Sequence, residues 1–263
     1  MLMTFGMSNQ LYKGTKMDLK PVDERFYGRR HGKKLKGGKV FLMENLLPKI
    51  QMPKAEDMPK NLSKLFDFTP KELWLEVGFG GGEHLAEQAK RNPNIAFIGA
   101  EPFLNGVASL LAHLNGSWGT DTNQARLLEE NRADNVRVYP DDIRHLFDSF
   151  PDNSFNRIFI LYPDPWPKSR HEDRRFAGGK NLPQLHRLLK TNGQLRIATD
   201  VQEYADWAVE QIEQSGLFKR INDDVRRPFD DWVSTRYEQK GLKAGRIPTY
   251  LIYTPIGKDE NKA

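Results

Sequence analysis

The chain has 263 residues, with 40 Lys+Arg against 35 Asp+Glu, a formal charge of +5, and no cysteine. Its hydrophobic fraction of 38%, including 15 Phe, 8 Tyr and 5 Trp, is enough for a sizeable core and excludes wholesale disorder. The missing cysteines exclude a disulfide scaffold, thiolate catalysis, iron–sulfur clusters and Cys-based zinc sites, and no apolar run approaches the ~20 residues of a membrane span.

The first ten residues lack a basic stretch followed by an apolar one, so no export signal is expected and the expected location is the cytoplasm. Residues 11–40 carry ten Lys/Arg and three acids, a net of +7 that leaves −2 for the rest of the chain. Between Arg25 and Lys39 there is no acid, and Phe26, Tyr27 and four glycines are interleaved with Arg29, Arg30, Lys33 and Lys34. Glycines disfavour a helix here, whereas aromatic and guanidinium planes suit stacking on bases and contact with phosphates. The alternative is a solvated basic tail. Residues 1–40 thus read as a basic arm, and 41–69, punctuated by Pro48, Pro53 and Pro59, as a connecting segment.

From residue 70 the pattern alternates. Short apolar strands are expected at Leu73–Gly78, Ala96–Ala100, Val136–Tyr139, Phe155–Tyr162, Leu195–Thr199 and Tyr250–Tyr253. Helical spacing joins Leu85, Ala86 and Ala89, then Val107, Leu110, Leu111 and Leu114, then Ala125 and Leu128. Leu185, Leu188 and Leu189 mark a helix expected to stop at Asn192-Gly193, and Val201, Tyr204, Ala205, Ala208, Val209 and Ile212 mark another. Strands alternating with helices predict a doubly wound α/β fold around a mostly parallel sheet, over residues 70–256, with a polar tail at 257–263.

In such a sheet ligands bind beyond the carboxyl ends of the strands. Glu76-Val77-Gly78-Phe79-Gly80-Gly81-Gly82 lies there, between the first strand and its helix. A glycine turn suits a dinucleotide or S-adenosylmethionine. Glu83 stands where a dinucleotide turn needs Gly or Ala, and Glu76 is a poor neighbour for a pyrophosphate. Glu101, ending the second strand, is placed to accept two ribose hydroxyls, so the acidic surroundings favour S-adenosylmethionine over NAD. Asp142, after the third strand, is positioned either to meet an adenine amino group or to cap a helix.

The fourth strand runs into Tyr162-Pro163-Asp164-Pro165-Trp166-Pro167-Lys168-Ser169-Arg170-His171. Three prolines make a rigid extended turn able to hold a carboxylate, an aromatic face and an ammonium in fixed relation. Asp164 can accept from the N1–H and exocyclic amine of a guanine, while Lys168, Arg170, Arg174 and Arg175 can hold phosphates; the alternative is a strand terminator followed by a solvated loop. Asp200 suits either a ligand contact or a helix cap, and His31 and His171 sit in basic loops without the spacing of a metal site.

The PDPWPKSRHEDRR segment, with EVGFGGG and the later Thr235-Arg236-Tyr237-Glu238-Gln239-Lys240-Gly241, resembles the bacterial tRNA (guanine-N7-)-methyltransferase family over about residues 70–255. The resemblance implies a class I methyltransferase sheet, seven-stranded with helices on both faces and an antiparallel last strand. It implies that Glu76, Gly78, Gly80, Glu101, Asp142 and Asp164 hold S-adenosyl-L-methionine and that Asp164 is catalytic. It further implies that Lys168, Asp200 and Thr235 to Glu238, with Arg236 and Tyr237 between them, meet the substrate guanosine of tRNA, and that Arg170, His171, Arg174 and Arg175 meet RNA. The Glu172-Asp173 pair dilutes the basic run usual in the family, and Tyr237 stands where Phe is common. No membrane, no metal and no obligate protein partner is expected, and the expected state is a monomer or homodimer.

Overall fold

The computed structural model describes residues 26–115 and 134–258. The helix expected around Ala125 and Leu128, and the first 25 residues of the basic arm, lie outside the described residues. Seven strands form one sheet: β1 (Glu72–Val77), β2 (Ile95–Ala100), β3 (Val136–Tyr139), β4 (Phe155–Leu161), β5 (Leu189–Thr199), β6 (Phe218–Arg220) and β7 (Thr249–Pro255). Their order is β3-β2-β1-β4-β5-β7-β6, parallel from β3 through β5, with β7 antiparallel to both β5 and β6. This is the expected doubly wound sheet with its reversed last strand.

β1 sits at the centre, hydrogen-bonded to β2 on one side and β4 on the other. The chain order reverses there, which opens a crevice beyond its carboxyl end. Helices cover both faces. One face packs α1 (Gly38–Asn45), α2 (Leu47–Ile50), α3 (Glu83–Arg91) and α4 (Leu104–Leu114) around Trp74, Phe97, Phe159 and Tyr250. The other buries Ile98, Phe150, Phe155, Ile158 and Ile197 under α5 (Asn181–Leu188) and α6 (Gln202–Gln214). A short α7 (Arg236–Lys243) lies between β6 and β7.

Three elements differ from the sequence reading. α1 begins inside the glycine-interleaved arm. Tertiary packing overrides the local glycines there: Leu42 is 1% exposed, and Lys39 Nζ donates to Ser109 Oγ on α4 at 2.8 Å. α5 ends at Leu188 rather than Asn192-Gly193, because Leu189 already pairs with Phe155. The next ladder pair is Arg157 with Gln194, so Lys190 to Gly193 form a bulge in β5, where any Cβ on Gly193 would meet the Lys190 carbonyl at 2.9 Å. β6 is too short for a legible alternation; of its three residues only Phe218 is buried.

Candidate active site

The turn after β1 is tied to the end of β2: Gly78 and Phe79 both donate to the Ala100 carbonyl, at 2.8 and 3.3 Å. Gly78 and Gly80 take the left-handed φ values of 67° and 58° that glycine tolerates. A Cβ at Gly78 would meet nothing within 4 Å, so the turn presents bare backbone to the crevice. α4 approaches so closely that a Cβ at Gly106 would lie 2.2 Å from the Gly80 carbonyl oxygen.

Glu101 braces this turn. Its Oε2 accepts from Gly80 N–H at 2.7 Å and its Oε1 from Phe103 N–H at 2.8 Å. Burial pushes the carboxyl up to about 7, against the lowering effect of those two amides and with a further upward push from nearby Asp164. Glu76, in β1, is 3% exposed and pairs with His84 on α3, Oε2 to Nδ1 at 2.6 Å.

The two aspartates after β3 divide their work differently from the sequence reading. Asp142 caps the 3₁₀ turn that follows, accepting from Arg144 N–H at 3.0 Å, and its two oxygens also take the Arg144 guanidinium at 2.5–3.1 Å. The capping alternative is therefore the realised one. Asp141, 4% exposed, accepts at Oδ1 from Asp142 N–H and from Arg30, each at 2.7 Å, while its buried Oδ2 has no hydrogen-bond partner. Both line the cavity.

The proline-rich loop after β4 is held in a strained form. Tyr162 and Trp166 both have positive φ, 49° and 42°, uncommon for aromatic residues. Tyr162 N–H donates to the Ala198 carbonyl at 2.7 Å, and Arg175 clamps the far end through the Pro165 and Trp166 carbonyls at 2.9 and 3.2 Å. Arg175 is 3% exposed and its guanidinium lies 5.0 Å from the Trp207 ring, so it is a loop clamp and not the RNA-facing residue expected. Asp164 is exposed on the loop and faces the same cavity as Gly78, Gly80 and Glu101.

Thr235 caps α7, its Oγ1 accepting from Glu238 N–H at 3.1 Å. Glu238, expected at the guanosine, is instead 4% exposed, and its carboxylate accepts from Trp232, Ser234 and Tyr250. Three donors leave it little capacity for a ligand. Asp200 is no helix cap either: Val201 occupies that position, and Asp200 Oδ2 takes Arg246 Nε at 2.7 Å. Tyr237 lies on the glycine turn, where a Cβ at Gly80 would come within 2.8 Å of its ring, and with Thr235 it reaches the cavity. Arg236 lies 3.7 Å from Glu83 across the turn. Lys168 and Arg170 are exposed outside the cavity lining, and His171 rests edge-on against Trp166 at 5.8 Å.

The described part of the arm crosses the mouth of this site. Arg174 stacks between Tyr27 and Trp166, 4.0 and 5.0 Å from their rings, and Asn105 of α4 binds Gly32 N–H and the Lys33 carbonyl, each at 2.7 Å. Phe26 to Arg29 line the cavity; Arg30 is engaged with Asp141, and Lys33 and Lys34 lie outside the lining. The cavity measures about 980 Å³, ample for a nucleoside-bearing ligand. Among the described residues no His, Asp and Glu cluster could hold a metal ion, and no helix is long and apolar enough to cross a membrane.

The sheet order, the bare glycine turn and the buried carboxylate ending β2 define a class I methyltransferase, and that fold implies S-adenosylmethionine as methyl donor. A family model described as "Putative methyltransferase" matches residues 70–250. The chain is 45% identical over 237 residues to the tRNA (guanine-N(7)-)-methyltransferase of Ruegeria pomeroyi, covering 87% of this chain and 93% of that protein. It is 44% identical to the enzyme of the same name from Paramagnetospirillum magneticum, covering 87% and 92%, and 40% identical to that of Agrobacterium fabrum, covering 88% and 94%. Among solved structures, the aminoglycoside resistance methyltransferase NpmB1 aligns at 15% identity and a TM-score of 0.48, covering 72% of this chain and 89% of that one. The chain belongs to the tRNA (guanine-N(7)-)-methyltransferase family.

Proposed function

We propose that the chain methylates N7 of the variable-loop guanosine of tRNA, with S-adenosyl-L-methionine as donor. The observation that carries this reading is one cavity shared by the glycine turn, Glu101 and the Asp164 loop, set beyond the carboxyl ends of β1, β2 and β4. The residues present suit the donor: bare backbone at Gly78, an acceptor at Glu101 for ribose hydroxyls, Asp142 beside Asp141 on the cavity wall for the adenine amino group, and Glu76 for the amino-acid end. When bound, that donor supplies an electrophilic methyl carbon on a sulfonium sulfur.

Guanine N7 carries an in-plane lone pair and no proton, so the attack needs no general base. Asp164 orients the guanine by accepting from its N1–H and exocyclic amine, and places negative potential where positive charge develops on the purine. Thr235 and Tyr237 border the same space, so the base is held on its far side. Arg29 and Arg174 border the cavity and Arg170 is exposed on the same loop as Arg174; together they suit the phosphates of an RNA whose target base has swung out of its stack. We place the enzyme in the cytoplasm, acting without an obligate protein partner.

The test is a nucleotide-resolution map of unmodified tRNA incubated with the protein and methyl-labelled donor. Label at N7 of the variable-loop guanosine is expected, and its absence there rejects the reading. Asp164→Ala should lower turnover at least about a hundredfold while S-adenosylhomocysteine binding, read by calorimetry, stays measurable.

A further inference from the structure

Glu76 is a carboxylate lining the cavity, 3% exposed, and burying a carboxylate is costly unless a donor compensates it. Here the donor is His84, 2% exposed, with Nδ1 2.6 Å from Glu76 Oε2. Phe159 and Trp232 confine the imidazole, their ring centres 5.1 and 5.5 Å from its own.

The direction of the hydrogen bonds follows from Gln88, one helical turn on. Its Nε2 lies 2.7 Å from the Asp231 carbonyl, which can only accept, so the amide nitrogen is the atom on that side. Asn92 Nδ2 donates to Gln88 Oε1 at 3.1 Å, which fixes the same orientation. The second amide hydrogen faces His84 Nε2 at 3.4 Å. Nε2 is then an acceptor, and the hydrogen of the neutral ring sits on Nδ1, toward Glu76. Each group in the series Asn92, Gln88, His84, Glu76 donates to the next.

We infer that His84 is a positioning residue for methyl-donor binding: its Nδ1–H occupies Glu76 Oε2 and fixes the carboxylate, leaving Oε1 for the cationic amino group of the amino-acid end of the ligand, and Gln88 holds His84 in that tautomer. The inference rests on the reading of the cavity as the S-adenosylmethionine site. It also connects that site to Asp231, whose carboxylate bridges Arg157 and Arg196 on β4 and β5.

The experiment measures S-adenosylhomocysteine affinity by calorimetry, tRNA affinity separately, and the imidazole tautomer by nitrogen-15 NMR of the whole chain. His84→Phe keeps a flat ring and removes the donor; His84→Asn returns an N–H near the Nδ1 position. His84→Phe is expected to weaken S-adenosylhomocysteine about tenfold with tRNA affinity unchanged, His84→Asn to recover most of the loss, and the wild-type spectrum to show hydrogen on Nδ1 and a bare Nε2. Equal affinity in His84→Phe, no recovery in His84→Asn, or hydrogen on Nε2 alone would each overturn it. If His84→Phe does not fold, His84→Asn and the wild-type spectrum decide the question. Wild-type protein that binds S-adenosylhomocysteine but leaves tRNA unmethylated rejects the proposed substrate, while the affinity series still decides the role of His84.

Discussion

At the scale of single residues, Glu101 makes a pH prediction. Its folded pKa of about 7 lies above the ordinary 4.5, because burial outweighs the two amides that lower it. Folded protein therefore binds more protons at this group than unfolded chain between those values. Its contribution to stability is fully present below pH 4.5 and is lost as pH rises through 7. Ribose hydroxyls donate to the ionised form, so S-adenosylhomocysteine affinity should rise about tenfold from pH 6 to pH 8 with release of a proton. Calorimetry in buffers of differing ionisation enthalpy checks this, and Glu101→Gln should flatten the dependence. Glu101 was legible in the sequence because a strand end fixes where a carboxylate emerges. Glu238 was not: its partners Trp232, Ser234 and Tyr250 come from the preceding loop and from β7, and no spacing rule brings them together. His84 left a fainter signal, as a histidine beside the apolar stripe of Leu85, Ala86 and Ala89 with Gln88 one turn on.

At the scale of elements, the loop from Tyr162 to Arg175 shows what a motif discloses and what it hides. Three prolines announced a constrained turn at the end of a central strand, and the loop is pinned there by hydrogen bonds from Tyr162 and Arg175. They did not announce which of the nearby cations supports it. Arg174 and Arg175 are adjacent, yet Arg175 points inward to the Pro165 and Trp166 carbonyls and Arg174 lies between two rings at the mouth. Consecutive residues leave a backbone on different sides, so one charge run served two purposes. Arg175→Ala should cost about 3 kcal/mol of stability and lower turnover, leaving the salt dependence of tRNA binding unaltered. Arg174→Ala should instead reduce the slope of log affinity against log salt by about 1. Denaturant titration and binding isotherms at several salt concentrations separate the two. Among the described residues, the strands and main helices were read correctly wherever an apolar period persisted. β6 and the Lys190–Gly193 bulge escaped because three residues and an irregular register carry no period.

At the scale of the whole molecule, the basic charge is concentrated where the arm crosses the site. Residues 26–40 hold six Lys/Arg and no acid, whereas residues 1–25 hold four Lys/Arg and three acids. Deleting residues 1–25 should therefore leave the salt slope of tRNA binding nearly unchanged, whereas neutralising Arg29, Lys33 and Lys34 together should lower it by about 3. The reverse order would place the RNA grip in the first 25 residues. The close approach of Gly106 to the Gly80 carbonyl has a steric consequence. A side chain at Gly106 could be seated only by displacing α4 or the turn that Glu101 braces through two amides, so the helix and the cradle must shift together or not at all.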